Sequence, residues 1–133
     1  MNALHRIHAA LLPDGLLVDT QPISARPPVS CGDRALGTLD MREWAATIDA
    51  IDRRTARVVT AGPYELEHEG SLTVTDVYDD GCELLHEVRE WDGTRTPPAL
   101  ARTLSDVRDA VSVRQVIRLR LYRSKRTHGR RGL

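Results

Sequence analysis

The last regular segment of the sequence, from about residue 112 to residue 122, alternates apolar and basic side chains. Successive side chains of a β-strand point to opposite faces, so this period of two predicts a strand with one apolar and one mostly basic face. The apolar face carries Val113, Ile117, Leu119 and Leu121, and the opposite face carries Arg114, Arg118, Arg120 and Tyr122, with Val116 among them. The chain must therefore form a sheet in which this strand packs one face on a core and turns the other to water or to charged partners.

The length and net charge of the chain limit the number of domains and the classes of partner that are expected. A chain of 133 residues is one domain by its length, with 41% hydrophobic and 29% charged residues, as in ordinary globular proteins. Its formal net charge is zero, so no global field draws it to nucleic acid or to an anionic membrane. We expect one α/β domain over residues 1–123 and a disordered basic tail over 124–133. That tail has no interleaved aromatic residues to stack on bases, which disfavours a nucleic-acid site.

The cysteines and the N-terminus indicate the compartment. Cys31 and Cys82 lie far apart and form no C-x-x-C pair, as expected of two reduced thiols. No apolar run approaches the ~20 residues needed to span a bilayer. Pro13-Asp14-Gly15 interrupts the first apolar stretch, which excludes a signal-peptide core. The predicted location is the cytoplasm.

Periodicity and turn residues predict the elements of the N-terminal half. Leu4, Ile7 and Leu11 follow a helical period, so a helix is expected over residues 2–12. The run Leu16–Val18 predicts a strand buried on both faces, as in a parallel sheet, and residues 19–22 end it. Residues 22–37 contain three prolines and two glycines and are predicted to be a loop.

The following elements alternate between helix and strand. Asp40 with Glu43 predicts the start of a long helix, which Gly62-Pro63 ends. Residues 64–78 are predicted to form a hairpin around Glu69-Gly70. Two further helices are expected, one opened by Asp80 with Glu83 and one by Pro97-Pro98. The predicted fold is α/β, a small mixed sheet with flanking helices.

The segment 12–19 reads L-P-D-G-L-L-V-D after a predicted helix. It resembles the part of class I S-adenosylmethionine-dependent methyltransferases written as a helix followed by L-x-P-G-G-x-L-L-V-D, with Asp14 replacing the first glycine of the turn. The similarity extends over about residues 2–124. It implies the C-terminal, substrate-side half of a Rossmann-like fold, in which the closing strand is antiparallel to its neighbours. It also implies that the strand Leu16–Val18 lies between the fourth strand and the closing strand.

The resemblance does not extend to the cofactor motif. That family binds S-adenosylmethionine through a glycine-rich loop after the first strand and an acidic residue after the second. The nine glycines of this chain form no G-x-G pair, and in this alignment Met1 falls just before the fourth helix. The chain alone is therefore expected to bind no cofactor. Any activity is expected to need a complementary N-terminal half, as in a split enzyme, and the other outcome is an inactive truncated relative.

The resemblance also suggests where a substrate would lie. Ligands of open α/β sheets lie outside the carboxyl ends of strands, which makes Asp19, Thr20 and Gln21 the substrate-side candidates. Catalytic residues stay unassigned, and no residue is assigned to cofactor or metal binding. A hypothesis from another class stays open: a small homo-oligomeric α+β interaction or ligand-binding module without catalytic activity.

Two other clusters suggest metal binding but have simpler explanations. His5 and His8 are three residues apart on a predicted helix, without a third ligand in a recognisable motif. A second, acidic cluster comprises Asp76, Asp79, Asp80 and Glu83. Capping of the following helix already explains Asp80 and Glu83. The sequence therefore predicts no metal site.

Overall fold

The computed structural model describes residues 14–125. The order of elements is β1 (Leu16–Pro22), β2 (Pro28–Cys31), β3 (Arg34–Thr38), α1 (Arg42–Ala61), β4 (Tyr64–Tyr78), α2 (Gly81–Val88), α3 (Pro98–Asp106) and β5 (Val111–Ser124). The predicted α/β class is confirmed. The helix predicted over residues 2–12, with His5 and His8, lies outside the described residues. So do residues 126–133 of the predicted tail.

The described strands form one five-stranded antiparallel sheet around β5, which pairs with β1, β2 and β4, while β3 pairs with β2. The Asp14 N–H donates to the Ser124 carbonyl at 3.0 Å, and the Ser124 N–H donates to Gly15 at 2.8 Å. The prediction of a mixed sheet with a parallel, doubly buried first strand is therefore wrong for these residues. Leu16 and Val18 are 47% and 55% exposed, so the apolar run 16–18 marks a strand with one covered face.

The predicted loop over residues 22–37 contains two strands. β2 and β3 form an antiparallel hairpin in which Cys31 is paired with Arg34 across Gly32 and Asp33. Gly32 has φ 58°, a left-handed conformation that glycine adopts without steric cost and that suits two-residue hairpin turns. The prolines that suggested a loop lie at strand ends, Pro22 closing β1 and Pro28 opening β2, where the missing N–H is tolerated.

β4 is a single strand of 15 residues, so the hairpin predicted around Glu69-Gly70 is wrong. Gly70 has no positive φ, and the strand continues through it. The partner strand β5 has 14 residues and provides a long antiparallel neighbour. β5 includes Ser124, which is only 2% exposed, so the first residue of the predicted tail belongs to the sheet.

The three helices in the described range begin and end close to the predicted positions. α1 ends at Ala61, followed by Gly62 with φ 109°. At α2 the Asp80 carboxylate accepts from the Glu83 N–H at 2.8 Å, and Glu83 in turn accepts from the Asp79 N–H at 2.7 Å. At α1 the predicted capping pair does not form, because Asp40 accepts from the backbone N–H and guanidinium of Arg42. The described residues contain no helix long and apolar enough to cross a membrane.

The chain divides into two compact units, each with its own core. The described part of the first unit comprises residues 14–21, 49–71 and 118–125, and its buried core residues are Val58, Tyr64 and Tyr122. The second unit comprises residues 22–48 and 72–117. Its buried core residues are Val29, Leu39, Leu84, Val88, Leu100, Leu104, Val107, Val111 and Val113.

Candidate functional site

The three substrate-side candidates lie within β1, because the strand continues to Pro22. The prediction that Asp19, Thr20 and Gln21 follow the end of the strand is therefore corrected. Alternation along the strand places Asp19 and Gln21 on one face, and the Gln21 amide donates to Asp19 Oδ1 at 3.0 Å. Thr20 is exposed and shares its face with Leu16 and Val18.

The face of Asp19 and Gln21 continues into an ion-pair network within the first unit. Arg118 on β5 donates from Nη1 to Asp52 Oδ2 at 2.6 Å and from Nη2 to Asp52 Oδ1 at 2.9 Å. Arg118 Nη2 also lies 3.8 Å from Asp19 Oδ2. Arg120 donates from Nη1 to Asp52 Oδ1 at 3.1 Å and from Nε to Glu69 on β4. Asp52, on α1, thus receives hydrogen bonds from two arginines of the closing strand.

Burial strengthens the electrostatics of this network. The side chains of Arg118 and Arg120 are only 12% and 20% exposed, so water screens them weakly. Burial by itself raises the pKa of Asp52, but the hydrogen bonds and charges of Arg118 and Arg120 outweigh it and hold the pKa below its ordinary value. The buried Nε of Arg118 has no hydrogen-bond partner within residues 14–125. The predicted basic strand face therefore meets charged partners of its own chain.

An open pocket of about 430 Å³ adjoins the network and is lined by residues of α1 together with Leu66, Arg120 and Tyr122. Tyr122 is 4% exposed, and its ring meets that of Tyr64 edge to face at 6.2 Å. Burial raises the pKa of Tyr122 against the lowering effect of Arg120, so its phenol is neutral at physiological pH. Arg120 is already paired with two carboxylates. The ion pairs of Arg118 and Arg120 with Asp52 and Glu69 therefore connect α1 and β4 to β5 within the first unit.

Sequence reasoning found the two arginines of the network but missed the carboxylates, Asp52 and Glu69. A usable signal exists for Asp52, which follows Ile48 by four residues and precedes Thr55 by three. This spacing puts an acidic side chain on the apolar face of a helix, where it needs a cationic partner. Glu69 has no such signal, because Glu69-Gly70 has the composition of a turn and predicts a hairpin at this point.

The acidic cluster of Asp76, Asp79, Asp80 and Glu83 is not arranged as a metal site in the described part of the chain. Asp80 and Glu83 are used in capping α2, and no group of three or more His, Cys, Asp or Glu in residues 14–125 is arranged to hold a metal ion. Arg123, predicted to border the basic tail, donates to Glu67 at 2.7 Å and to the Asp14 carbonyl at 2.9 Å. Cys31 and Cys82 are free thiols.

Comparison with known proteins adds no further constraint. No protein-family model, curated protein or solved structure matches the chain. Function is therefore inferred from the residues and contacts described above.

Proposed function

We propose that these 133 residues are the substrate-side half of a class I S-adenosylmethionine-dependent methyltransferase-like fold. The observation that carries the proposal is the pairing of β1 with β5, in which Asp14 and Gly15 bond to Ser124 in antiparallel register. The resemblance of residues 12–19 implies this same neighbour and direction for the strand that follows the P-D-G turn. Asp14 has φ 66°, the left-handed backbone that the glycine of the family's turn would also adopt.

We further propose that a second polypeptide supplies the cofactor-binding half, and the other edge of β1 supports this. In the methyltransferase family that residues 12–19 resemble, the fourth strand of the sheet pairs with this edge. In this chain no strand within residues 14–125 pairs with it. An open strand edge is a template for pairing with another chain, and β1 carries no lysine to guard it. The half-exposed Leu16 and Val18 lie on the same strand. A cofactor-binding half would cover both the edge and these side chains.

The isolated chain is expected to bind no S-adenosylmethionine, because its sequence has no G-x-G pair from which the family's glycine-rich cofactor loop could form. A ligand present at 100 times its dissociation constant adds about 2.7 kcal/mol of stability, which raises the melting temperature of such a domain by roughly 10 °C. Thermal unfolding with and without millimolar cofactor measures this. We expect no shift, and a reproducible rise of that size contradicts the proposal.

The proposal is tested directly by supplying a cofactor-binding half as a second polypeptide. Where the DNA upstream of the Met1 codon encodes a strand and a glycine-rich loop in any frame, that polypeptide is co-expressed with this chain. We expect the two to purify together and to bind S-adenosylmethionine, and a Val18→Lys variant to lose both properties. Two polypeptides that stay separate, or a complex that binds no cofactor, would overturn it.

A second candidate function rests on the same open edge: a homo-oligomeric interaction module, in which β1 of one copy pairs with β1 of another. The chain is then expected to form a dimer or larger species, at least twice its mass of 14.8 kDa by light scattering at micromolar concentration. Val18→Lys should return it to a monomer. Val77→Lys, at a residue 68% exposed on β4, is the matched control and should leave the dimer intact. A wild-type monomer that stays in solution would contradict both the module and the half-fold with an open edge.

A further inference from the structure

Both tryptophans of the chain, Trp44 and Trp91, line one open pocket of about 370 Å³ in the second unit. Trp44 projects from α1, and its indole N–H donates to the Pro22 carbonyl oxygen at 3.1 Å, which fixes the ring. Trp91 follows α2, and its ring lies 6.5 Å from that of Tyr78. A pocket of this volume lies in the range of small-molecule sites. The indole rings give it aromatic walls.

The charged groups of this pocket are all acidic. Its lining is completed by Pro22, Met41, Asp76, Asp92, Thr94 and Gln115. Asp76 is exposed on β4 and Asp92 is exposed beside Trp91. Neither carboxylate has an ion pair or side-chain hydrogen bond among the described residues. The lining contains no lysine, arginine or histidine, so the negative charge of the pocket is not compensated from within it.

Gln115 adds a polar side chain to the lining of this pocket. It lies on β5 and is only 9% exposed, yet its side-chain amide makes no hydrogen bond to any residue in the range 14–125. The amide nitrogen and oxygen of Gln115 are not fully withdrawn from solvent, so both remain open to the pocket. Because Gln115 lines the pocket, a polar ligand bound there can complete its hydrogen bonds.

We propose that this pocket binds a small organic cation, an amine in its ammonium form or an alkylammonium. Indole rings attract such cations through the negative potential of their faces, and the two carboxylates add charge attraction. Two carboxylates do not complete the oxygen shell that a metal ion needs, whereas they suit a cation whose remaining surface is apolar. The inference goes beyond the proposed methyltransferase half and stands without it, since no residue of the first unit lines the pocket.

The two tryptophans make the test direct, because intrinsic fluorescence reports on the pocket without a label. The full chain is titrated with choline and with n-butylammonium at constant ionic strength. The control ligand is the neutral isostere of choline in which carbon replaces nitrogen. We expect a saturable fluorescence change with at least one cation and binding of the isostere at least about tenfold weaker. No saturable change with either cation, or equal affinity for choline and its isostere, overturns the proposal.

Variants locate the binding. Asp76→Asn and Asp92→Asn are each expected to weaken cation binding by about threefold to tenfold, since each removes one attractive charge. Trp91→Leu should weaken it by a similar factor, with Trp44 left as the reporter. Asp79→Asn is the matched control, an exposed carboxylate that follows the same strand but does not line the pocket. An Asp79→Asn effect as large as that of Asp76→Asn would show only general charge attraction and would overturn the site.

Discussion

Gly81→Ala is expected to destabilise the protein by at least about 3 kcal/mol, the upper part of the range for overpacked cores. Gly81 is the first residue of α2, and a Cβ added there would lie 1.9 Å from the Leu104 carbonyl oxygen and 2.6 Å from its carbonyl carbon. These are backbone atoms of α3, so no rotamer change relieves the clash. The Gly81 N–H also donates to the Val107 carbonyl at 3.0 Å, which keeps the two segments close.

The expected sign is opposite to the usual one, since alanine in place of a helical glycine normally stabilises by roughly 0.5–1 kcal/mol. The melting temperature should fall by about 10 °C or more for a domain of this size. Gly70→Ala is the control, because its Cβ would meet only the His68 Nε2 atom, at 3.4 Å. We expect its melting temperature to stay close to that of the wild type. A Gly81→Ala protein that melts within about two degrees of the wild type would mean that α2 and α3 are not this close.

The elements predicted correctly are those whose signals are local. Asp80 with Glu83, Pro97-Pro98 and Gly62-Pro63 act on the backbone within one turn of their own positions, and each marks a helix boundary in the structure. The alternation over residues 112–122 likewise marks β5. Such signals do not depend on which other segments lie nearby.

The errors concern strands, whose form depends on distant neighbours. Glu69-Gly70 looks like a turn, but β5 provides a long partner and the chain stays extended through it. The hairpin at Gly32-Asp33 has a recognisable turn dipeptide, but the prolines nearby favoured the prediction of a loop. The direction of β1 could not be decided from Leu16–Val18, because an apolar run of three residues fits either a parallel or an antiparallel neighbour.

The candidate sites were harder to predict than the fold, because their residues come together only in three dimensions. Asp52 and Arg118 are 66 residues apart in the chain, and their hydrogen bond depends on how α1 covers the sheet in the first unit. The pocket of Trp44 and Trp91 draws its lining from five separate segments of the second unit. No spacing motif in the sequence identifies residues that come from such distant segments. A polar residue at an apolar position, such as an aspartate on the apolar face of a helix, can still be recognised as a candidate.

Asp52→Asn is expected to destabilise the protein by about 2–4 kcal/mol, because it leaves the guanidinium groups of Arg118 and Arg120 buried without their shared carboxylate. This range lies slightly below that for fully buried pairs, since the Asp52 side chain is 24% exposed. Chemical denaturation at neutral pH measures the loss. Asp49→Asn, an exposed position on the same helix, is the control and should change stability by no more than about 0.5 kcal/mol.

The pH dependence of stability, compared between the wild type and Asp52→Asn, distinguishes the effect of the Asp52 charge from the effect of its side-chain shape. The pKa of Asp52 is lowered in the folded state from an ordinary 3.8, because the two arginines outweigh the raising effect of burial. A lowered folded-state pKa stabilises the fold above the unfolded-state value, and the stabilisation is lost as the pH falls through the folded-state pKa. The gap in stability between wild type and Asp52→Asn should therefore stay constant from neutral pH to about pH 5 and narrow below about pH 4. A gap that persists unchanged in acid would show that asparagine disrupts packing, and that the carboxylate charge does not hold the closing strand to α1.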